Sequence, residues 1–235
     1  MSASNHKHLE VKPTRRRKTA TIENPQTSDM RGKLLEAAKT TFAKRGYVGA
    51  SLRDLAEQAG VTGAAVYYHF AKKEDLLREI VFEGLERLSQ NVVGALAQSA
   101  GPEKSLEAVI SAHLWYNVDF SREAKIIIEE SRFLNAVDYA AVREKQKAIL
   151  NAYRVCIGQL ISSGRIPPVD PTITAFNVIS VILGWYRWYR EDGSMSKEDA
   201  FKFTLSLLMS AVMNVKPSNA DGVSAIRLNH QALSD

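Results

Sequence analysis

The stretch SLRDLAEQAGVTGAAVYYHF, residues 51–70, holds two short helical patterns on either side of a glycine. Ser51 stands three residues before Asp54, the spacing at which its hydroxyl caps Leu52 to Gln58 on the Asp54 amide. Leu55 and Ala56 pack inward, while Arg53, one step inside the helix N-terminus, points towards solvent or a partner. Gly60 permits the left-handed backbone that a sharp turn needs, Val61 fills the space between the helices, and Thr62 caps the second. That second helix has only about two turns and would not persist alone, so Val66 and Phe70 must hold it against the first. Its small start, Gly63-Ala64-Ala65, lets the backbone approach another surface. Tyr67, Tyr68 and His69 add three adjacent hydrogen-bonding tips of the kind that phosphate oxygens and base edges accept. A helix-turn-helix of this size fits a DNA major groove.

The charge of the chain sits around this stretch. Net charge is +5, but residues 1–78 carry 15 Lys and Arg against 8 Asp and Glu, whereas residues 79–235 carry 16 against 18. A polyanion partner for the N-terminal third is the simplest physical reading, because neutralising phosphates releases counterions. Residues 1–28 are polar, contain Pro13, Pro25 and the run Arg15-Arg16-Arg17-Lys18, and have no apolar face to offset the entropy of ordering. They read as a disordered basic tail, either a plain solvated tail or an arm that tracks phosphate. Ser28 or Asp29 then caps a helix with Met30, Leu34, Ala38 and Phe42 every four residues and Leu35 beside them, ending at Gly46.

The run from Met30 to Leu77, with LLEAAKTTFAKRGYVGASLRDLAEQAGVTGAAVYYHFAKKEDLL at residues 34–77, resembles the DNA-binding domain of the TetR family of bacterial repressors. The likeness is ungapped over about 50 residues and includes Phe42, Gly46-Tyr47, Ala56, Gly60-Val61, Tyr67-Tyr68-His69-Phe70, Lys73 and Leu76-Leu77. It implies that Arg53 reaches a base or phosphate, that Thr62 and Tyr67 hold phosphates, that Tyr68 touches a base or backbone, and that His69 and Lys73 grip phosphate. Tyr67 also reads as a packing residue and His69 as a satisfied surface histidine. Two positions depart from the family: Gly63 stands where Lys or Arg is frequent, and Ala65 where Thr or Ser is.

Beyond the head, only helical patterns of any length occur. Lys73 to about Ala100 repeats Leu77, Ile80, Val81, Leu85, Leu88, Val92 and Leu96 until Gly101-Pro102 breaks it. Helices over about Glu103–Phe120, Arg122–Leu134, Asp138–Ser163, Pro171–Arg190 and Lys197–Asn214 follow. The expected architecture is all-α: an N-terminal three-helix domain at 29–72, a larger helical effector-binding and dimerisation domain at 73–214, and a flexible tail at 215–235. In the family the last two core helices pair across a two-fold axis. The apolar faces of Ile179, Ile182 and Leu183 and of Leu205, Leu208 and Val212 suit that role, or a monomer core equally. A homodimer on a palindromic operator follows from the need to read two half-sites.

The effector pocket is expected between Glu103 and Arg190. Polar and aromatic residues in otherwise apolar helices are its candidates: His113, Trp115, Tyr116 and Asn117, then Tyr153, then Trp185, Arg187, Trp188 and Arg190. Aromatic residues at helical spacing are also ordinary core. Trp185, Trp188 and Tyr189 share one face at i, i+3, i+4 beside two arginines, a set able to pair a phosphate and stack on a base. This run resembles the C-terminal part of TetR-type regulators of lipid and sterol catabolism that respond to acyl-CoA thioesters. A dimer contact is the competing reading of the same residues.

Other classes are disfavoured. There is no glycine-rich phosphate loop, HExxH or GxSxG, and His6, His8, His69, His113 and His230 share no constellation, so neither an enzyme nor a bound cofactor or metal is expected. The lone Cys156 lies in an apolar helical pattern and reads as a buried, inert thiol. No apolar run nears a membrane span and no signal peptide is evident, which predicts a cytoplasmic protein. Two alternatives to an acyl-CoA-responsive repressor stay open: a regulator of a multidrug or other hydrophobic-compound response, and a helical interaction module that does not bind DNA.

Overall fold

The computed structural model describes residues 25–217, with side-chain environments from Asp29 onward. The remainder of the expected basic tail and of the expected C-terminal tail lies outside the described residues. All regular structure among the described residues is helical. Ten α-helices follow one another: α1 Pro25–Gly49, α2 Leu52–Ala59, α3 Gly63–His69, α4 Lys73–Gln98, α5 Pro102–Asp119, α6 Ser121–Glu130, α7 Ala136–Ser162, α8 Pro171–Leu183, α9 Trp185–Trp188 and α10 Lys197–Met213. A single 3-10 turn, Ser131–Phe133, links α6 to α7.

The head is α1 to α3 packed on the start of α4. Leu34, Ala38 and Phe42 of α1 are wholly buried, as the four-residue repeat predicts, together with Leu55, Val66 and Phe70. α1 begins at Pro25 and not at Ser28 or Asp29, so those two residues lie inside the helix; Asp29 pairs with Lys33 one turn on at 2.8 Å. At its other end Gly46 adopts φ 71, ψ 165, a kink that turns the chain before Gly49. Only Val66 of α3 is buried along the helix proper, and its burial is worth about 1.5–3 kcal/mol. This short helix is therefore held by tertiary contact.

One hydrophobic core runs from the head into the larger domain, and α4 is the element common to both. Leu76, Leu77, Ile80 and Val81 are buried towards its start, and Leu85, Leu88 and Val92 further along. The core domain packs α5 and α7 against α4, with α8 and α10 on the outside against α7 and α5. The expected helix Pro171–Arg190 is broken at Gly184, after which α9 forms one turn that buries Trp185. A Cβ on residue 184 would stand 3.3 Å from the Val181 carbonyl oxygen, a tight contact that glycine avoids. Val215, expected in the flexible tail, instead packs on the core and donates to Val212 O. Cys156 is buried, and burial pushes its thiol up to about 11.

α4 passes close to α5 and α6 at Gly84. A Cβ there would lie 2.6 Å from Tyr116 Oη and 2.8 Å from Ile127 Cδ1, both buried. Gly84→Ala should therefore overpack this crossing and cost about 1–3 kcal/mol, despite the better helix propensity of alanine. Urea unfolding of the two proteins checks this, and an alanine variant as stable as the parent refutes it.

Candidate functional site

The helix-turn-helix is built by two caps and one turn. Ser51 Oγ accepts from Asp54 N at 3.1 Å while Asp54 Oδ2 accepts from Ser51 N at 2.8 Å, a reciprocal capping box. The Ser51 hydroxyl also donates to Asp54, and Arg45 Nη1 lies 2.6 Å from its second oxygen; the serine bonds first, then the arginine, hold this carboxyl below the usual range. Ser51 is thus occupied as a cap. Gly60 sits at φ 68, ψ 34 and gives its N–H to Ala56 O and Glu57 O, and Thr62 Oγ1 accepts from Ala65 N at 3.3 Å to start α3.

This frame projects Arg53, Thr62, Gly63, Tyr67 and Tyr68 into solvent. Tyr68 is 80% exposed and Tyr67 62%, far more than aromatic residues that serve only packing. His69 is half-buried and packs edge-on against the Tyr68 ring, with centroids 5.0 Å apart. Nothing lies within 4 Å of a Cβ built on Gly63, so the backbone of the α3 start is open to an approaching surface. Lys73, by contrast, is engaged within the protein. Its Nζ donates to Tyr47 O at 2.6 Å and Ala50 O at 2.7 Å and lies 4.3 Å above the Tyr47 ring. It clips the start of α4 to the end of α1, which leaves at most one N–H for phosphate.

In the core domain the effector candidates divide into three places. His113, Tyr116, Asn117 and Tyr153 lie buried on α5 and α7, where His113 Nδ1 stands 3.0 Å from Tyr153 Oη and Asn117 Nδ2 donates to His113 O at 3.0 Å. Three buried polar atoms there have no partner: His113 Nε2, Tyr116 Oη and Asn117 Oδ1. Burial alone pushes the imidazole down to about 4 and, as the main cause, raises both tyrosine hydroxyls well above their ordinary value. Trp115 is elsewhere, stacked on Phe201 of α10 at 4.1 Å.

Trp185, Arg187 and Arg190 line a cleft of about 740 Å³ between α6 and α9. Ala43, Val118, Ser121, Arg122, Lys125 and Glu129, with Tyr186, Tyr189 and Glu191, complete its lining. Arg187 Nε bonds the Tyr186 hydroxyl, which donates to Glu129 at 2.7 Å. Trp188 is the exception: it packs edge-on against Trp185 and is 51% exposed outside the cleft lining. Arg122 and Lys125 lie far before the Trp-Arg run in the chain, and only the fold brings them beside it.

The outward apolar faces also differ from those expected. Ile182, Leu208 and Val212 are buried in the protomer, and Ile179, Leu183 and Leu205 are half-buried. The exposed large residues of these helices are Ile173, Phe176 and Val181 on α8 and Phe203 and Leu207 on α10. Both faces of each helix are apolar, so periodicity could not separate inside from outside.

Residues 34–80 match the model of bacterial regulatory proteins of the tetR family, and residues 99–212 match the Tetracyclin repressor-like C-terminal domain. The chain belongs to the TetR family. It is therefore a transcriptional regulator with an N-terminal helix-turn-helix and a helical ligand-binding domain, not an enzyme. The transcriptional repressor KstR2 of Mycobacterium tuberculosis is 24% identical over 191 residues, which are 80% of this chain and 94% of that protein. The crystal structure of AibR in complex with isovaleryl coenzyme A and operator DNA is 27% identical, with a TM-score of 0.70 over 77% of this chain and 98% of AibR. The KstR2 structure, 23% identical with a TM-score of 0.73 over 77% and 93% of the two chains, shares the fold. No helix among the described residues is long and apolar enough to cross a membrane.

The buried imidazole has a consequence for stability. His113 is neutral in the fold and would ionise in the unfolded chain below its ordinary 6.5, so the fold binds fewer protons than the unfolded state. Its contribution is complete above about pH 6.5 and declines as pH falls towards 4, by up to about 1.4 kcal/mol per pH unit. Denaturant unfolding at a series of pH values should show this slope, and His113→Gln should flatten it between pH 6.5 and about 5. Parallel profiles for the two proteins would contradict the assignment.

Proposed function

We propose that this protein is a cytoplasmic, homodimeric repressor that leaves a palindromic operator when an acyl-CoA thioester binds its core domain. The observation that carries the effector class is the cleft beside α9. Four cations, Arg122, Lys125, Arg187 and Arg190, surround an aromatic wall of Trp185, Tyr186 and Tyr189. Guanidinium groups pair phosphates bidentately and stack on ring faces, and the volume lies within the range of small-molecule sites. Coenzyme A supplies phosphates and an adenine together, whereas a neutral hydrophobic compound carries no charge for these cations. Support comes from AibR, solved with isovaleryl coenzyme A and operator DNA.

The acyl group has a natural direction. Val118 and Trp185 are the buried apolar residues of the cleft lining, and Val118 is on α5, the helix that carries His113, Tyr116 and Asn117. Their three unpartnered polar atoms suit the polar functions of an acyl group or its hydration water. In the head, Arg53, Thr62, Tyr67, Tyr68 and His69 form the DNA contact, with Gly63 allowing close backbone approach. The outward residues of α8 and α10 pair with a second protomer, which sets two heads against half-sites about 34 Å apart. An effector that favours another head spacing then lowers operator affinity.

Two measurements test this. Isothermal titration with a panel of short and long acyl-CoAs should give saturable heat for at least one of them, and flat traces for all would remove the effector class. Gly63→Arg should add one phosphate contact without a clash, so the salt dependence of binding to the protein's own upstream DNA should steepen by about one ion. An unchanged slope would place the start of α3 away from the phosphates.

A further inference from the structure

The lining of the cleft includes part of the reading head. Ala43 belongs to α1, and two of the cleft's cations are already bonded to that helix. Lys125 Nζ donates to Ala43 O at 2.6 Å, and Arg122 Nη1 donates to Thr40 Oγ1 at 2.8 Å, with its other nitrogen 3.5 Å from Glu36 Oε2. These are bonds from cations to a neutral carbonyl and a neutral hydroxyl, supported by one long contact to an exposed carboxylate. A phosphate oxygen is the stronger acceptor for both, since its negative charge adds a Coulomb attraction that a carbonyl or hydroxyl lacks, and a guanidinium can pair it bidentately.

We propose that Arg122 and Lys125 are a two-position latch: ligand-free, they hold α1 to α6, and with phosphate groups in the cleft they turn to the ligand and release the head. The site thus takes a phosphate-bearing nucleotide, and the inference rests on the effector reading above only for the identity of that nucleotide. One polar joint between α1 and α6 that does not line the cleft is Lys39, which lies 3.1 Å from Glu123 with both side chains largely buried. Loss of the Arg122 and Lys125 bonds frees α1 at Thr40 and Ala43 while the Lys39–Glu123 pair is retained, which converts ligand binding into a movement of α1, and with it of α2 and α3. Reciprocity requires that operator DNA weaken ligand binding by the same factor as ligand weakens DNA binding.

Two substitutions in the full-length protein make the latch testable, with isovaleryl-CoA and ADP as the probes. Operator affinity is read by anisotropy on a duplex selected from random DNA, and probe affinity by titration calorimetry. Lys125→Met keeps the apolar stem and removes the ammonium; it should weaken both probes about tenfold and bring the coupling factor between probe and operator close to one. Thr40→Val lies on α1 outside the cleft lining and removes the acceptor that holds Arg122. It should tighten probe binding while weakening ligand-free operator binding, a pair of opposite shifts that general loss of structure does not produce. Thermal melts establish that both variants fold, and Thr40→Val carries the test if Lys125→Met does not.

Unchanged coupling in Lys125→Met, or probe binding left untouched or weakened in Thr40→Val, overturns the latch. Failure of the parent protein to bind either probe overturns it as well. Binding of ADP without isovaleryl-CoA leaves the latch standing and removes the thioester as effector. Binding of the thioester with unchanged coupling in the variants does the reverse.

Discussion

Burial of one helix in two places governs the whole molecule. α4 inserts Leu76, Leu77, Ile80 and Val81 beside the head and Leu85, Leu88 and Val92 into the core domain, so that neither unit completes its core without it. Over 26 residues it spans about 39 Å, and close packing makes such a rod move as a unit. The contacts along it reinforce this. Lys73 clips it to Tyr47 and Ala50, while Gly84 admits Tyr116 and Ile127 against its backbone. A signal in the core can reach the head through that crossing without any flexible link.

A second bridge between the two units is polar and correspondingly easier to open. α6 holds α1 through Lys39 to Glu123, Lys125 to Ala43 and Arg122 to Thr40, and Tyr47 stacks on Phe133 at 5.5 Å. Arg78 to Asp138 and Asn135 to Glu74 tie the start of α7 to α4. The exposed pairs among these are each worth little, and only Lys39–Glu123 is largely buried, so the bridge positions the head while the apolar seam along α4 stabilises it. That division suits a regulator, which needs a head that is held in one orientation and can leave it for a modest free energy.

The head is legible in the sequence because its constraints are local. Capping by Ser51 and Thr62, the left-handed turn at Gly60 and the four-residue repeat of Leu34, Ala38 and Phe42 each act within one turn of chain, and all are present in the fold. Lys73 reads in the sequence as a phosphate ligand alone because its acceptors in the fold, Tyr47 O and Ala50 O, are distant along the chain. The same limit explains α9. Trp185, Trp188 and Tyr189 read as one helical face, yet after the turn at Gly184 Trp185 is buried and Trp188 exposed.

Local chemistry alone therefore settled the helical class, the helix-turn-helix, its family and the concentration of positive charge near it. Side-chain periodicity also located nearly every helix, since burial of one face needs only an apolar repeat. Tertiary packing decided which apolar face of α8 and α10 stays in solvent, because both faces carry large apolar residues and only neighbours distinguish them. It also decided that Arg122 and Lys125 stand beside Arg187 and Arg190. Charges distant along the chain share a cleft only once α6 and α9 have packed, and no spacing rule within either helix encodes that meeting.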